Sequence, residues 1–576
     1  MRSLRKDRDL RELLYSIDHR GYPAYKETTG HWQFPNYILH IDHVQGDPFA
    51  SPSHITLEVS GKTALFPSEY LKPKHRRIAL QDYLCRRFSS EASRYDRMAR
   101  GSGKSGGIFT VKPGQEVMER TACRIDPENG TVFYRLEVGF PARGRTISAD
   151  ELINMLFDYI PKCVSNALIY SPSKKTDLQR RIDLSDDQQF IREQLRENHL
   201  SAFIADGAVL PRVSGVSSLP MKDAHVFKSP DSLKVEFNLP HKGLITGLGI
   251  KNGITLIVGG GYHGKSTLLR ALETGVYNHI EGDGREYVIT DDSAVKIRSE
   301  DGRSVHSTDI SIFIKNLPDK RDTVSFSTED ASGSTSQAAN VIEAIESGSK
   351  LLLIDEDTCA TNFMVRDALM QEVILRDDEP ITPFIEKIRP MYESSGISTI
   401  LVAGSFGSFF HIADTIIQMD KYVPVDITEK AKETAKKYPI EQSLSSTMEK
   451  INLDRVPQPI RHPDLSGRVK TKTMGLDSFL IDHENVIIRG LEQLMEGGQS
   501  TALARAVIYL SRHGFDGSKT LKTCIDSLME KLDKEGPDVL CDGSSYVFTG
   551  LTLPRRQEIF ACLNRCRFLN IKQKKS

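Results

Sequence analysis

One lysine, two adjacent carboxylates and a glycine-rich loop could do chemistry in this sequence. The run Ile257-Val258-Gly259-Gly260-Gly261-Tyr262-His263-Gly264-Lys265-Ser266-Thr267 satisfies GxxxxGK[ST]. Its glycines let successive backbone N–H groups point inward, and the helix that follows adds its positive end, so the loop can hold a polyphosphate. Gly259 to Thr267 are therefore the candidate nucleotide-binding residues, with Lys265 on the β- and γ-phosphates and Ser266 as a Mg²⁺ ligand. The second piece is Leu351-Leu352-Leu353-Ile354-Asp355-Glu356, four apolar residues ending in two acids. Asp355 can hold the metal shell, while Glu356 can polarise a water aimed at the γ-phosphate.

These groups need elements to position them. Short apolar strands (Thr255 to Val258, Leu351 to Ile354, Thr399 to Val402) alternate with helical patterns such as Leu268 to Leu272, which predicts a parallel α/β sheet. We divide the chain into residues 1–165, an α+β domain; 166–435, a P-loop ATPase domain; and 436–576, mainly helical with a basic tail. In the first, Tyr37 to Ile41 and Val132 to Val138 alternate as strands and Ile78 to Met98 reads as a helix. In the last, Val486 to Met495, Thr501 to Arg512 and Leu521 to Leu532 read as helices and Tyr546 to Thr552 as a small strand. Thr428 to Lys437 reads as a polar link.

Bulk properties narrow the class. The 576 residues, 39% hydrophobic, suffice for roughly three or four domains. No apolar stretch approaches the roughly 20 residues that cross a bilayer, so a membrane domain within this chain is not expected. The 8 cysteines form no CxxC pair, and Cys562 with Cys566 lacks partners for a metal site. Met1-Arg2-Ser3-Leu4-Arg5 is basic but is followed by Asp7, Asp9 and Glu12, so the cytoplasm is the default compartment, with a mitochondrial location the alternative. Net charge is -1, yet basic residues cluster. Lys72, Lys74, Arg76, Arg77, Arg86, Arg87, Arg94, Arg97, Arg100 and Lys104 lie close together with Tyr83, Phe88 and Tyr95 among them, a pattern that can neutralise phosphates and stack bases. A helix with an aromatic core face and a solvated cationic face is the competing reading. The tail adds Arg565, Arg567, Lys572, Lys574 and Lys575. Gly101-Ser102-Gly103-Lys104-Ser105 mimics a phosphate loop, but Met98 stands where its first glycine belongs, so it reads as a basic loop.

Further motifs resemble those of ABC ATPases. Ala331-Ser332-Gly333-Ser334-Thr335-Ser336-Gln337 is similar to the LSGGQ signature, with Ser334-Thr335-Ser336 in place of the second glycine. Ser332, Gly333 and Ser334 open a helix whose hydroxyls and N–H groups can contact a γ-phosphate. Asp355-Glu356-Asp357-Thr358-Cys359-Ala360-Thr361-Asn362 lines up with DEPTSALD and puts Asn362 at the D-loop aspartate. Beyond Val402 the switch histidine is missing; Gly404 or Ser405 stands there, with Ser405 the candidate and His411 nearby. The Q-loop glutamine is missing too, and Asp309 is the candidate at the expected distance from Lys265, as a metal ligand.

With Gly275-Val276-Tyr277-Asn278-His279, Gly282-Asp283-Gly284-Arg285-Glu286, Leu210-Pro211-Arg212, Asp47-Pro48-Phe49-Ala50-Ser51-Pro52 and Gly139-Phe140-Pro141-Ala142-Arg143-Gly144-Arg145, the chain resembles the predicted ATPases of the ABC class, the family of a kinetoplastid mitochondrial RNA-editing accessory ATPase. The resemblance implies a P-loop ABC core with mixed sheet and helices, flanked by N- and C-terminal domains. It also implies ATP and Mg²⁺ as ligands, hydrolysis of ATP to ADP and phosphate, and a head-to-tail homodimer. RNA held on basic surfaces is implied as the partner. Loss of the switch histidine implies slow turnover. Three readings follow: an ATP-driven clamp on nucleic acid, RNA first; an ATPase acting on a protein partner; and a nucleotide-gated structural dimer.

Overall fold

The computed structural model describes residues 4–366, 379–439, 448–467 and 469–574. Met1, Arg2 and Ser3 of the basic start and Lys575 of the tail lie outside the described residues. The chain forms two compact units, Met1–Asp186 with Lys534–Leu553, and Asp187–Asp533 with Pro554–Ser576.

In the first unit, alternating residues build a seven-stranded sheet. Its path runs Arg5–Lys6, Gly30–Gln33, Ile38–His43, Ser53–Val59, Val132–Val138 and Ile108–Phe109, with Cys123–Ile125 also paired to Val132–Val138. The helix Lys74–Ser93 lays Leu80, Leu84 and Phe88, a single i, i+4, i+8 stripe, into the core. It starts four residues before the helix expected from apolar periodicity, because Pro73 presets the chain for the first turn, and it stops at Ser93 rather than Met98. The returning segment Lys534–Leu553 is tied in by polar contacts. Leu551 N–H donates to Thr121 Oγ1 at 3.0 Å, and Asp538 takes both Arg124 and Arg135. Tyr546 to Thr552 is irregular apart from a bridge between Thr552 and Arg120, not the expected strand.

The second unit centres on a six-stranded sheet in the order Val295–Ile297, Leu351–Asp355, Ser398–Val402, Ile254–Val258, Thr415–Asp420, Val423–Asp426. The first five strands are parallel and the last is antiparallel. Buried on both faces, Leu351 to Ile354 read as a continuous apolar run. An antiparallel sheet of Lys234–Leu239, Gly243–Lys251, Leu200–Ala205 and Val288–Thr290 completes a mixed α/β architecture.

Helices Gly497–His513 and Leu521–Glu535 form where periodicity places them. The expected helix Val486 to Met495 does not. Glu484–Ile487 is the last strand of a three-stranded antiparallel sheet, and turns follow, since a short apolar run such as Val486-Ile487-Ile488 fits either period. Thr428–Ala435, read as a link, is a helix. Among the described residues no helix is long and apolar enough to cross a membrane.

Candidate active site

Three adjacent parallel strands end at one place. Ile254–Val258 runs into the glycine loop, Leu351–Asp355 ends on the two acids, and Ser398–Val402 runs into Gly404 and Ser405. The carboxyl ends of such strands are where α/β sheets build ligand sites.

The loop's glycines are required by space as well as by φ. Gly259 has φ +141, and a Cβ there would meet Met419 O at 2.4 Å. Gly264, at φ +98, precedes the helix Lys265–Thr274. Tyr262 adopts φ +63, a left-handed conformation that costs a non-glycine residue about 1 kcal/mol or more, and its side chain is 98% exposed. His263 anchors the loop, with Nδ1 accepting from Lys421 N–H at 3.2 Å and its carbonyl accepting from Tyr422 N–H at 3.1 Å. Lys265 Nζ donates back to the carbonyls of Gly259 at 2.6 Å and Gly260 at 3.0 Å, spanning the loop it closes. Ser266 and Thr267 follow in the first turn of the helix, where N–H groups have no intrahelical partner.

Asp355 is buried at the strand end, with Oδ1 accepting from Asp357 N–H at 3.3 Å. Burial raises its carboxyl above the ordinary range, and the nearby Lys296 ammonium opposes that rise. Lys296 is itself buried and paired with Glu273 at 2.8 Å. Glu356 Oε2 accepts the backbone N–H groups of Gly404 at 2.6 Å and Ser405 at 3.0 Å. Ser405 thus meets Glu356 through its main chain. His411 lies at the end of the following 3-10 turn, Gly407–His411.

The signature-like segment starts a helix as expected. Ser332 is the N-cap of Gly333–Glu346, its side chain accepting from Thr335 N–H at 3.4 Å. Ser334 Oγ donates to Asn362 Oδ1 at 2.9 Å, and buried Gln337 accepts from Ala360 N–H at 2.8 Å. The signature-like helix start and the segment Ala360 to Asn362 are therefore one bonded assembly.

Asp309 stands elsewhere. Its carboxylate accepts from Ser311 N–H and Oγ and from Asn452 N–H, just past the strand Val305–Thr308 of a separate two-stranded sheet. The strand hydrogen-bonded beside Leu351–Asp355 is Val295–Ile297, so Arg298, Ser299 and Glu300 are the residues leaving the sheet next to Asp355. Ser299 N–H donates to Thr358 O at 2.9 Å. Sequence spacing missed these residues because the loops between the phosphate loop and this strand are shorter than expected. The lysine-arginine alternation Lys296-Ile297-Arg298 beside an apolar strand was the only signal.

The basic segment of the first unit divides in two. Arg76 pairs with Asp186 through two bonds of 2.7 Å. Arg77 donates to Leu71 O, and Lys74 lies 3.9 Å from Glu119. Arg86 holds Asp82 and the carbonyls of Pro113, Gly114 and Glu116. Arg94 pairs with Glu91, and Arg87 lies over the Tyr83 ring. Tyr83 and Phe88 are buried, Phe88 stacked on Tyr134, and Tyr95 stacks on Tyr159. Burial removes Tyr83 and Phe88 as base-stacking platforms. Lys72, Arg94, Arg97, Arg100 and Lys104 are exposed. The loop carrying the last three packs on the Gly139–Arg145 turn, with Ser102 N–H donating to Ala142 O at 2.8 Å, beside exposed Arg143 and Arg145.

Comparison with known families agrees with this geometry. Residues 174–455 match the P-loop domain of the ABC ATPase family, residues 7–171 match the description "ATPase of the ABC class N-terminal", and residues 470–572 match the MRB1590 C-terminal domain. The chain belongs to the ABC-class ATPases. A relative of this ABC-class ATPase, the uncharacterized protein MJ1628 of Methanocaldococcus jannaschii, is 33% identical over 218 residues, 34% of this chain and 47% of that protein. The chain thus spans about half the length of that curated relative. Solved structures similar to it include cbiO1 of Clostridium perfringens, part of the ABC transporter complex cbiONQ (14% identity, 36% of this chain and 93% of that one, TM-score 0.23). The ATP-binding cassette MJ1267 in its ADP conformation is another (13%, 41% and 96%, TM-score 0.24), as is a bacterial Atm1-family ABC exporter with ATP bound (14%, 52% and 54%, TM-score 0.24).

Proposed function

We propose that this ABC-class ATPase binds ATP with Mg²⁺ at Gly259–Thr267 and hydrolyses it to ADP and phosphate, and that a second copy completes the site. The observation that carries this reading is the convergence of the loop, Asp355 with Glu356, and Gly404 with Ser405 at the ends of three neighbouring strands. The oxygen donors there suit a hard cation, with the Ser266 hydroxyl and Asp355 carboxylate as its protein ligands. Mg²⁺, when bound, neutralises phosphate charge.

Lys265 exchanges its Gly259 and Gly260 carbonyls for phosphate oxygens, a change of acceptor that the loop's own geometry prepares. Glu356 then orients the attacking water and takes up its proton, while the Gly404 and Ser405 amides hold the carboxylate where a histidine is absent. Slow turnover is the expected consequence, since the amides occupy one carboxylate oxygen and add no cation at the γ-phosphate. Ser332 to Ser334 of one copy would face the triphosphate held by the other, with Asn362 crossing between them. The bond from Ser334 to Asn362, which holds the two segments together, supports this.

For the partner, we propose nucleic acid, RNA in the first instance, held through its backbone by Arg97, Arg100 and Lys104 with Lys72 and Arg94, and moved by closure and opening of the dimer. The exposed cations support it. A protein partner is the second reading, favoured by the carboxylate pairing of Arg76 and Arg86. ATPase turnover with and without single-stranded and structured RNA, at two salt concentrations and against a Lys265→Ala control, decides. Stimulation that weakens with salt and vanishes in the variant supports the RNA reading. Turnover indifferent to nucleic acid, with no RNA binding at low salt, transfers the proposal to a protein partner.

A further inference from the structure

Lys296 is a charged residue between two apolar ones, Val295 and Ile297, in the strand beside Leu351–Asp355. Only 4% of its side chain is exposed, and it pairs at 2.8 Å with Glu273, which is equally buried. Taking both charges out of water offsets most of what such a pair returns, and two apolar residues would pack there as well. What a buried ion pair adds is a fixed register between the elements that carry it.

The elements joined here are the two that carry the candidate metal ligands. Lys296 stands opposite Leu353 in the parallel sheet. Successive strand residues alternate between faces, so Lys296 shares a face with Leu353 and with Asp355, two residues on. On the helix Lys265–Thr274, Glu273 comes seven residues after Ser266, a separation that returns to the same helix face. The bond from Lys296 Nζ to Glu273 Oε1 therefore sets the face of the helix that bears Ser266 against the face of the sheet that bears Asp355. Arg270 holds the other Glu273 oxygen at 2.8 Å, which fixes the direction of the carboxylate.

The same two residues are joined again through their main chains. Buried Gln493 accepts the Lys296 N–H with Oε1 at 3.1 Å and donates from Nε2 to the Glu273 carbonyl at 3.0 Å. Its own carbonyl accepts the Tyr277 hydroxyl at 3.0 Å. One side-chain amide thus bridges helix end and strand at the point where the ion pair joins them.

Resting on the ATP and Mg²⁺ reading above, we propose that Gln493, Lys296 and Glu273 form a clamp that sets the distance between Ser266 and Asp355, which makes them positioning residues for the metal bound with ATP. They act through its two protein ligands and have no part in holding the phosphates, so the clamp is separable from the loop.

Calorimetric titration of the full chain with ATP, once with saturating Mg²⁺ and once with EDTA, makes that separation. The ratio of the two affinities is the contribution of the metal. Asp355→Asn, which removes a ligand outright, sets the size of a full loss. Removing a group that orients metal ligands costs roughly 10- to 100-fold in metal affinity. Gln493→Ala is therefore expected to lower the ratio by about tenfold or more while ATP affinity in EDTA stays within about twofold of wild type, and Lys296→Met to do likewise. Gln493→Ala changes no charge, so its loss reports position alone. Retained affinity in EDTA also reports that the loop of each variant is folded. Equal weakening with and without Mg²⁺ in both variants would make the clamp a structural feature of the helix and overturn the proposal. So would an unchanged ratio in Gln493→Ala, or a ratio that rises in Lys296→Met, the result for a lysine that only repels the ion. A wild type whose ATP affinity Mg²⁺ leaves unchanged would instead remove the metal reading of Ser266 and Asp355 itself, and this proposal with it.

Discussion

Glu356 Oε2 accepts the Ser405 backbone N–H at 3.0 Å, so Ser405, the sequence's candidate for the switch position, meets Glu356 through its main chain. The side-chain hydroxyl of Ser405 is not part of that bond. Ser405→Ala should keep ATP turnover within about twofold of wild type, whereas Ser405→Pro, which has no N–H, should lose about tenfold or more, as for a hydrogen bond to a charged group. Steady-state phosphate release measures both. A large loss in Ser405→Ala would return the catalytic role to the hydroxyl.

Glu356→Gln keeps an oxygen for the two amides but cannot accept a proton from water. With MgATP this variant is expected to accumulate as a dimer that the wild type populates only transiently. Light scattering coupled to size exclusion reads it. An oligomeric state that ATP leaves unchanged would sink the head-to-tail mechanism.

Ser334, Gln337, Ala360 and Asn362 join the signature-like helix to the D-loop. Gln337→Ala leaves the half-buried Ala360 N–H of that assembly without its acceptor, a loss of about 1 kcal/mol or more. We expect reduced ATP-dependent dimerisation with little change in MgATP affinity of the monomer, compared by titration and sedimentation. Equal loss of nucleotide affinity would place the helix at its own copy's site instead.

Glu300, on leaving the strand beside Asp355, meets Arg565 through two bonds, one of 3.2 Å from Arg565 Nε. Burial opposes ionisation of Glu300, but Arg565 and Arg303 outweigh it and hold the carboxyl at about 2, below its ordinary 4.5. A depressed carboxyl contributes stability above its unfolded value and loses it as pH falls through the folded one, on the order of 3 kcal/mol in full. Glu300→Gln should therefore melt lower than wild type at neutral pH, with the gap narrowing between pH 4.5 and 2. A gap independent of pH in differential scanning calorimetry would contradict the pairing.

Charge reversal separates the two halves of the basic segment. Arg97→Glu with Arg100→Glu and Lys104→Glu should weaken RNA binding and flatten its salt dependence without changing the melting temperature, since all three are exposed. Arg86→Ala should do the opposite, destabilising the first unit because the Pro113 and Gly114 carbonyls lose the Arg86 donor while buried Asp82 and the Glu116 carbonyl keep Arg120 alone. RNA affinity unmoved by the triple reversal would end the nucleic-acid reading of this loop.

The phosphate loop, the Asp355 and Glu356 pair and the strands that carry them were legible in the sequence because each is a local pattern: an apolar strand, a turn that only glycines can make, and a helix start. The helix start at Ser332 was legible for the same reason. Three things were decided only by the tertiary structure. Which strand borders Asp355 depended on sheet order, and this put Arg298 to Glu300 there and left Asp309 bonded to backbone elsewhere. Whether Arg76 and Arg86 are free cations depended on Asp186, 110 residues from Arg76, and on Asp82 with the carbonyls of Pro113 and Gly114, 27 and 28 residues from Arg86. The joining of Lys296 to Glu273 and to Gln493, 197 residues away, depended on a strand, a helix end and a distant segment meeting near Asp355. Hydrogen-bond geometry within a few residues follows from residue type and spacing, whereas the partner of a charge or a ring is set by packing between segments that are distant in sequence.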